Sequence, residues 1–293
     1  MKKTFSSKKS AFSLIELSIV LIIIGLLIAG VTGGASLIKS SELRAAISEA
    51  RGYAVAVNGF FAQYNALPGD YTVAIAGSSY AGPTNGGNSK IQYAASDTLN
   101  SAGGAAFASE SVVAWNQLIN TGTIDSTLTL TYTSVTTAQT VGTMMPASKI
   151  KFAGWHFDYR NNVGATNDYT SATGTAEGTA NVAANQNVVV LTPATTLGAN
   201  ATNSPTLVNG LVNLAYTTNG VGSLTGPDAL SIDTKVDDGF ANAGRVRGLN
   251  PGTYNSGSTA DCYTTSTNSN SSYIVSSGTN KVCNLTFQVD VNS

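Results

Sequence analysis

AFSLIELSIVLIIIGLLIAGVTGG, residues 11–34, decides how the rest of the chain is read. It carries one charge, Glu16, and four lysines precede it: Lys2, Lys3, Lys8 and Lys9. A helix needs about 20 apolar residues to cross a bilayer, and 12–34 is long enough. An ionisable side chain at the membrane centre costs about 3 kcal/mol, so it is expected to have a partner and a task. Glu16 is therefore the most informative residue in the chain. Its carboxylate counts against two simpler readings, a secretory signal peptide cut at Gly33-Gly34-Ala35 and a plain membrane anchor.

Working outward, residues 12–64 read as one long helix. Apolar residues recur at Leu43, Ala46, Ile47, Ala50, Ala54, Val57, Phe61 and Tyr64. Steps of three and four mark one helical face. Glu42, Arg44, Glu49 and Arg51 fall mostly off it. At 1.5 Å per residue the helix would be about 80 Å long, its first half (12–34) spanning a membrane or filament core and its second half packed on a head. Gly30, Gly33 and Gly34 weaken it by about 1 kcal/mol each and mark where it could bend. Leu67-Pro68-Gly69-Asp70 ends it, because proline cannot continue a helix and Pro-Gly favours a turn.

A basic leader, a small residue, Phe and then SLIELSIVLIIIGLLIAG resembles the start of a type IV prepilin or pseudopilin. The resemblance covers about 25 residues. It implies a leader, 1–11, removed by prepilin peptidase between Ala11 and Phe12. It also implies N-methylation of Phe12, and an assembly role for Glu16 as the fifth mature residue. The family usually has Gly before the cut, where this chain has Ala11. Elementary electrostatics points the same way. The new amine of Phe12 stays positive after methylation, and Glu16 lies one helical turn later. The carboxylate of one subunit can pair with the amine of its neighbour, neutralising both in a low dielectric and setting the axial register. Residues 60–70 (FFAQYNALPGD) and Trp115-x-x-Leu118 followed by Gly122-Thr123-Ile124 also resemble pilin-like proteins.

The resemblance implies a structural subunit, not an enzyme, of a type IV pilus or a type II secretion pseudopilus. Its partners would be the peptidase, sibling pilins or pseudopilins, a platform membrane protein driven by an assembly ATPase, and membrane lipid. It would sit in the bacterial inner membrane as a single-pass protein with its head outside the cytoplasm, and reach a filament or the cell surface after assembly. The head, 65–293, is larger than polymer-forming pseudopilins usually need, which favours a minor subunit. The alternative is a tip adhesin or a DNA- or surface-binding minor pilin.

Composition agrees with an exported protein. Without 1–11 the chain keeps eleven basic and sixteen acidic side chains, which argues against a general nucleic-acid grip. Charged residues are only 11% of the chain, and none of them between Arg160 and Lys235 is basic. Thr, Ser, Asn, Gly and Ala fill that region, a polar and uncharged composition that suits cell-surface proteins. In an exported chain the two cysteines, Cys262 and Cys283, are expected to form a disulfide worth roughly 3 kcal/mol. Many type IV pilins carry a similar carboxy-terminal loop. Two separate buried thiols are the alternative.

The head reads as β-rich, giving an α+β class. Candidate strands are 127–135, 149–159, 187–192, 211–216 and 284–291, the last alternating so that one face is buried. A short helix is expected over 111–120, with Val112, Trp115 and Leu118/Ile119 inward and Gly122 as its cap. A second is expected over 227–238, with Pro227 in its first turn, Ala229, Ile232 and Val236 on one face, and Gly239 after it. Residues 229–248 resemble a carboxy-terminal block of pilin-like proteins. Some major pseudopilins bind calcium there through acidic side chains, which implies Asp233, Asp237 and Asp238 as candidate ligands. No other cofactor is expected. The alternative is a solvated surface balanced by Lys235. The single histidine, His156, stands among aromatics and reads as structural. No nucleophile elbow, P-loop or dinucleotide fingerprint is present.

Overall fold

The computed structural model describes residues 14–73, 75, 87, 89–91, 99–100, 106–107, 110–125, 128, 141–142, 145–160, 186–193, 207–208, 211–212, 222–249, 262–264, 271–277 and 280–289. Its elements in chain order are α1 (Leu14–Tyr64), β1 (Leu99–Asn100), β2 (Ala106–Phe107), α2 (Glu110–Asn120), β3 (Ala153–Arg160), β4 (Gln186–Pro193), β5 (Leu207–Val208), β6 (Leu211–Val212), α3 (Gly226–Val236), β7 (Val246–Leu249) and β8 (Asn284–Gln288). Two compact units form, Met1–Glu42 and Leu43–Ser293. The first is the amino-terminal part of α1, and the helix runs unbroken through Gly30, Gly33 and Gly34.

The second unit is a helix packed on a sheet-containing head. β3, β4, β8 and β7 pair in that order, all antiparallel. The register places Trp155, Leu191, Leu285 and Gly248 in one row, and Phe157, Val189, Phe287 and Val246 in the next. All of these but Gly248 share a buried core with Leu43, Ala46, Ile47, Ala50, Val57 and Phe60 of α1 and with Trp115 and Leu118 of α2. Ring contacts knit the layers together. Tyr53 lies 4.9 Å from Trp115 and 5.7 Å from Trp155 by ring centroids, and Trp115 lies 4.2 Å from Phe157.

The buried stripe of α1 departs from the expected one in its last turns. Ala56 and Phe60 are buried, while Ala54, Phe61 and Tyr64 are half-buried and pack at its margin. The stripe drifts because 3.6 residues per turn does not keep a fixed set of threes and fours in line.

β8 also departs from expectation: all five of its residues are buried, not one face alone. It lies between β4 and β7, and the second face of the sheet is covered too, with Val188, Val190 and Leu249 forming a small apolar cluster there. Alternation in a sequence shows which residues share a face, whereas burial of the polar face depends on what covers it.

The KIKFAGWHFDY stretch forms its strand only from Ala153. Residues 149–152 make a turn closed by the Ala153 N–H on the Ile150 carbonyl at 3.2 Å, with Phe152 at φ 61°. Of 127–135 only Leu128 is described, and it is in no strand; of 211–216 only Leu211–Val212 is described.

Both short helices end as their residues dictate. Gly122, at φ 68°, donates to the Ile119 carbonyl at 2.9 Å, and Thr123 donates to Leu118 at 3.0 Å. That pair of bonds is a Schellman cap. α2 starts at Glu110 and is buried beyond the expected face, at Val113, Ala114, Asn116 and Gln117, while Ile119 is half-buried and the Val112 side chain lies outside the described residues. α3 is capped by Thr225, whose hydroxyl accepts from the Asp228 N–H at 3.3 Å and donates to the Asp228 carboxylate at 2.7 Å. α3 stops at Val236, because Asp237 leaves helical geometry at φ −144°, ψ −131°.

Candidate functional site

Glu16 sits in the first turn of α1 and is exposed, as is every large apolar side chain from Leu14 to Ile38, none less than 46%. The helix is long and apolar enough to cross a membrane by length and composition. Two of its hydroxyls, those of Ser18 and Thr32, bond the helix's own backbone. Ser18 donates to the Ile15 carbonyl at 2.9 Å and Thr32 to the Ile28 carbonyl at 2.9 Å. Side chains bonded in this way need no water, which suits an apolar surround. Ala11 and Phe12 lie outside the described residues.

Within the second unit, α1 is fixed to the head by a residue the helical pattern had set aside. The Glu49 carboxylate accepts from the Trp155 indole N–H at 2.9 Å, the Ser148 hydroxyl at 2.8 Å and the Lys149 backbone N–H at 3.1 Å. Burial and the neighbouring Glu49 charge push the Tyr53 hydroxyl well above its ordinary range, so it stays protonated. The other tryptophan, Trp115, is wholly apolar in its role. Its indole N–H is buried and meets no acceptor among the described residues.

The Leu67–Asp70 block is buried and does more than end the helix. Gly69, at φ 89°, donates to Gln117 Oε1 at 2.7 Å, and a Cβ there would collide with the Glu110 carbonyl. The Asp70 carboxylate accepts from the N–H groups of Gly87 and, at 2.8 Å, Ser89. Asn187 of β4 continues the strap, accepting from the Ile91 N–H at 2.7 Å.

Cys262 and Cys283 form a disulfide with an S–S distance of 2.09 Å and a separation of 21 residues. It lies beside Gly248 of β7, where an added Cβ would meet the Tyr273 ring at 2.9 Å and Cys262 Sγ at 3.2 Å. The disulfide loop reaches α3 through the Tyr273 hydroxyl, which donates to Asp233 Oδ2 at 2.8 Å.

Asp233, Asp237 and Asp238 come together, with one carboxylate oxygen of each within 4.8 Å of the others. Asp233 is buried rather than solvated, and Lys235 donates to Ser231 Oγ at 3.0 Å instead of balancing it. Burial, opposed by the bonds from Tyr273 and Gly239 and reinforced by Asp238 and Asp237, raises the Asp233 carboxyl to about 7. Asp237 accepts from the N–H groups of Arg245 and, at 3.2 Å, Val246, and Asp238 accepts from Phe240 N–H at 2.8 Å. Calcium takes six to eight oxygens; here the donors engage both oxygens of Asp233, Oδ2 of Asp237 and Oδ1 of Asp238.

His156 is buried on the second face of the sheet, and burial pushes its pKa down to about 3. It is neutral at ordinary pH.

The prokaryotic N-terminal methylation motif matches residues 6–32. It is the prepilin-type signature of type IV pilin-like proteins, and it supports a type IV pilin-like or pseudopilin subunit. It implies processing by prepilin peptidase and assembly with other pilins, and it points to a structural protein. No curated protein and no solved structure matches the chain.

Proposed function

We propose that the chain is a minor subunit of a type IV pilus or type II secretion pseudopilus, without enzymatic activity. It is cut between Ala11 and Phe12, methylated at Phe12, held in the inner membrane with its head outside the cytoplasm, and drawn into a filament through α1. Glu16 then accepts the Phe12 amine of a neighbouring subunit. The observation that carries this reading is an apolar helix whose large side chains are all exposed from Leu14 to Ile38, carrying one carboxylate in its first turn, within the methylation motif. Such a surface needs lipid or other helices around it. Mass spectrometry of the mature amino terminus tests it. The expected product begins at methylated Phe12, and a start at Ser36 would mean an ordinary signal peptidase and end the proposal.

A further inference from the structure

We propose that the turn 149–152 is a lipid-docking point of the head, and that its occupant is the anionic headgroup surface of the bilayer in which the chain is anchored; this rests on the membrane-anchoring reading above. Lys149, Lys151 and Phe152 are exposed, Phe152 at 78%. Phe152 holds φ 61°, a conformation that bulky L-residues rarely adopt. A turn with no further task would place Gly or Asn there.

Several bonds hold the ring out. Ser148 N–H donates to the Ala153 carbonyl at 2.9 Å, Trp155 N–H to the Pro146 carbonyl at 2.9 Å, and Lys149 N–H to Glu49. A third cation joins the turn from a distant part of the chain: Lys281 Nζ donates to the Lys151 carbonyl at 3.1 Å. An exposed aromatic ring on a turn that carries lysines is the chemistry of a membrane interface, where the ring enters the headgroup layer and the ammonium groups meet phosphates.

Magnitude selects the occupant. Each lysine near an anionic surface shifts the docked-to-undocked ratio by about fivefold, or about 1 kcal/mol. Three give about a hundredfold, and the Glu49 carboxylate behind the turn cancels part of it. That is far too weak to capture a nucleic acid or protein from dilute solution. It is enough for a head that its own tether keeps at roughly millimolar effective concentration beside the bilayer. Docking would hold the head in a fixed orientation until the helix leaves for the filament.

The test uses the full chain carrying Phe152→Trp, reconstituted in vesicles that contain a bromine-labelled lipid. Trp115 and Trp155 are fully buried and supply a constant background. The expected result is quenching of the added indole in vesicles rich in phosphatidylglycerol. It should weaken in purely zwitterionic vesicles, and at roughly 1 M salt, where the Debye length is about 3 Å. Each of Lys149→Gln, Lys151→Gln and Lys281→Gln should lower the docked-to-undocked ratio about fivefold. Chain that floats with the vesicles yet shows no quenching overturns the docking and leaves the anchor reading intact. Chain that fails to float overturns both. Quenching that ignores lipid charge, or an emission change produced by a single-stranded oligonucleotide and not by lipid, also overturns the proposal.

Discussion

The residues 14–42 and the unit from Leu43 onward treat apolar side chains in opposite ways. From Leu14 to Ile38 they are exposed on a helix that, among the described residues, packs on nothing within its own unit, at exposures up to 87%. From Leu43 onward the helix's apolar stripe is buried in a head core with two tryptophans and the inner row of a four-stranded sheet. The first part is apolar on every side and the second along one stripe, so the two patterns suit different surroundings. The first needs lipid or neighbouring helices, and the second carries its own partners. Changes in one part should therefore leave the other intact.

The largest expected effect is at Glu16. Glu16→Val should leave cleavage and membrane insertion intact and remove most of the subunit from sheared filaments, since a neighbour's amine is left unpaired at a cost of about 3–5 kcal/mol. Glu16→Asp should fall between. If the valine variant enters filaments as well as wild type, the carboxylate is no assembly device.

Next comes the head. Replacing Cys262 and Cys283 together by Ser should cost about 3 kcal/mol of head stability. Hydrogen exchange should rise in β7, β8 and 271–277 while the amides of 14–38 in detergent stay protected. Equal loosening of both parts would break the comparison.

Glu49→Ala should cost about 2–3 kcal/mol, because the Trp155 indole, the Ser148 hydroxyl and the Lys149 amide lose their acceptor together. The readout is a lower midpoint in urea with cleavage at Ala11-Phe12 unaffected. A midpoint equal to wild type would show that water replaces the carboxylate without loss.

The smallest effect is a pH dependence with two opposing parts. His156 is neutral in the fold down to about 3 against 6.5 when unfolded. Its contribution is complete above 6.5 and is lost as pH falls from there toward 3, at no more than about 1.4 kcal/mol per pH unit. Asp233 is raised from 3.8 to about 7, so its contribution is complete below 3.8 and is lost as pH rises toward 7. Between about 4 and 6.5 the two slopes oppose each other. Asp233→Asn should therefore make stability climb with pH across that window, and His156→Gln should make it fall. Thermal melts at several pH values decide it, and unchanged profiles in both variants would refute the assignment.

Much of this was legible in advance because it is local. The apolar run with Glu16, the cap at Gly122, the Pro227 start of α3 and strands β4 and β8 each follow from residues within a few positions of one another. The cysteine pair was legible from chemistry and export alone. What escaped depended on distant partners. Glu49 reads in sequence only as a residue off the apolar face, because nothing near it names Trp155, about a hundred residues on. Lys149 to Phe152 looked like strand because its alternation is correct, and the left-handed backbone of Phe152 leaves no mark in the residue types. The bond that Asp233 accepts comes from Tyr273, within the disulfide loop.

The position of β8 has a consequence for biogenesis. It is the last described strand in chain order, yet it sits inside the sheet, with β4 on one side and β7 on the other. A chain still emerging from the ribosome or the translocation channel therefore holds a gap where its central pairing belongs. The sheet cannot close until residues 284–288 arrive, and contacts between segments so far apart in sequence form slowly. Before that moment β4 and β7 both present open edges that another chain could fill. On the membrane-anchored reading proposed above, the apolar helix precedes the head in the chain and can enter the bilayer before the sheet closes, so each copy would wait there for residues 284–288.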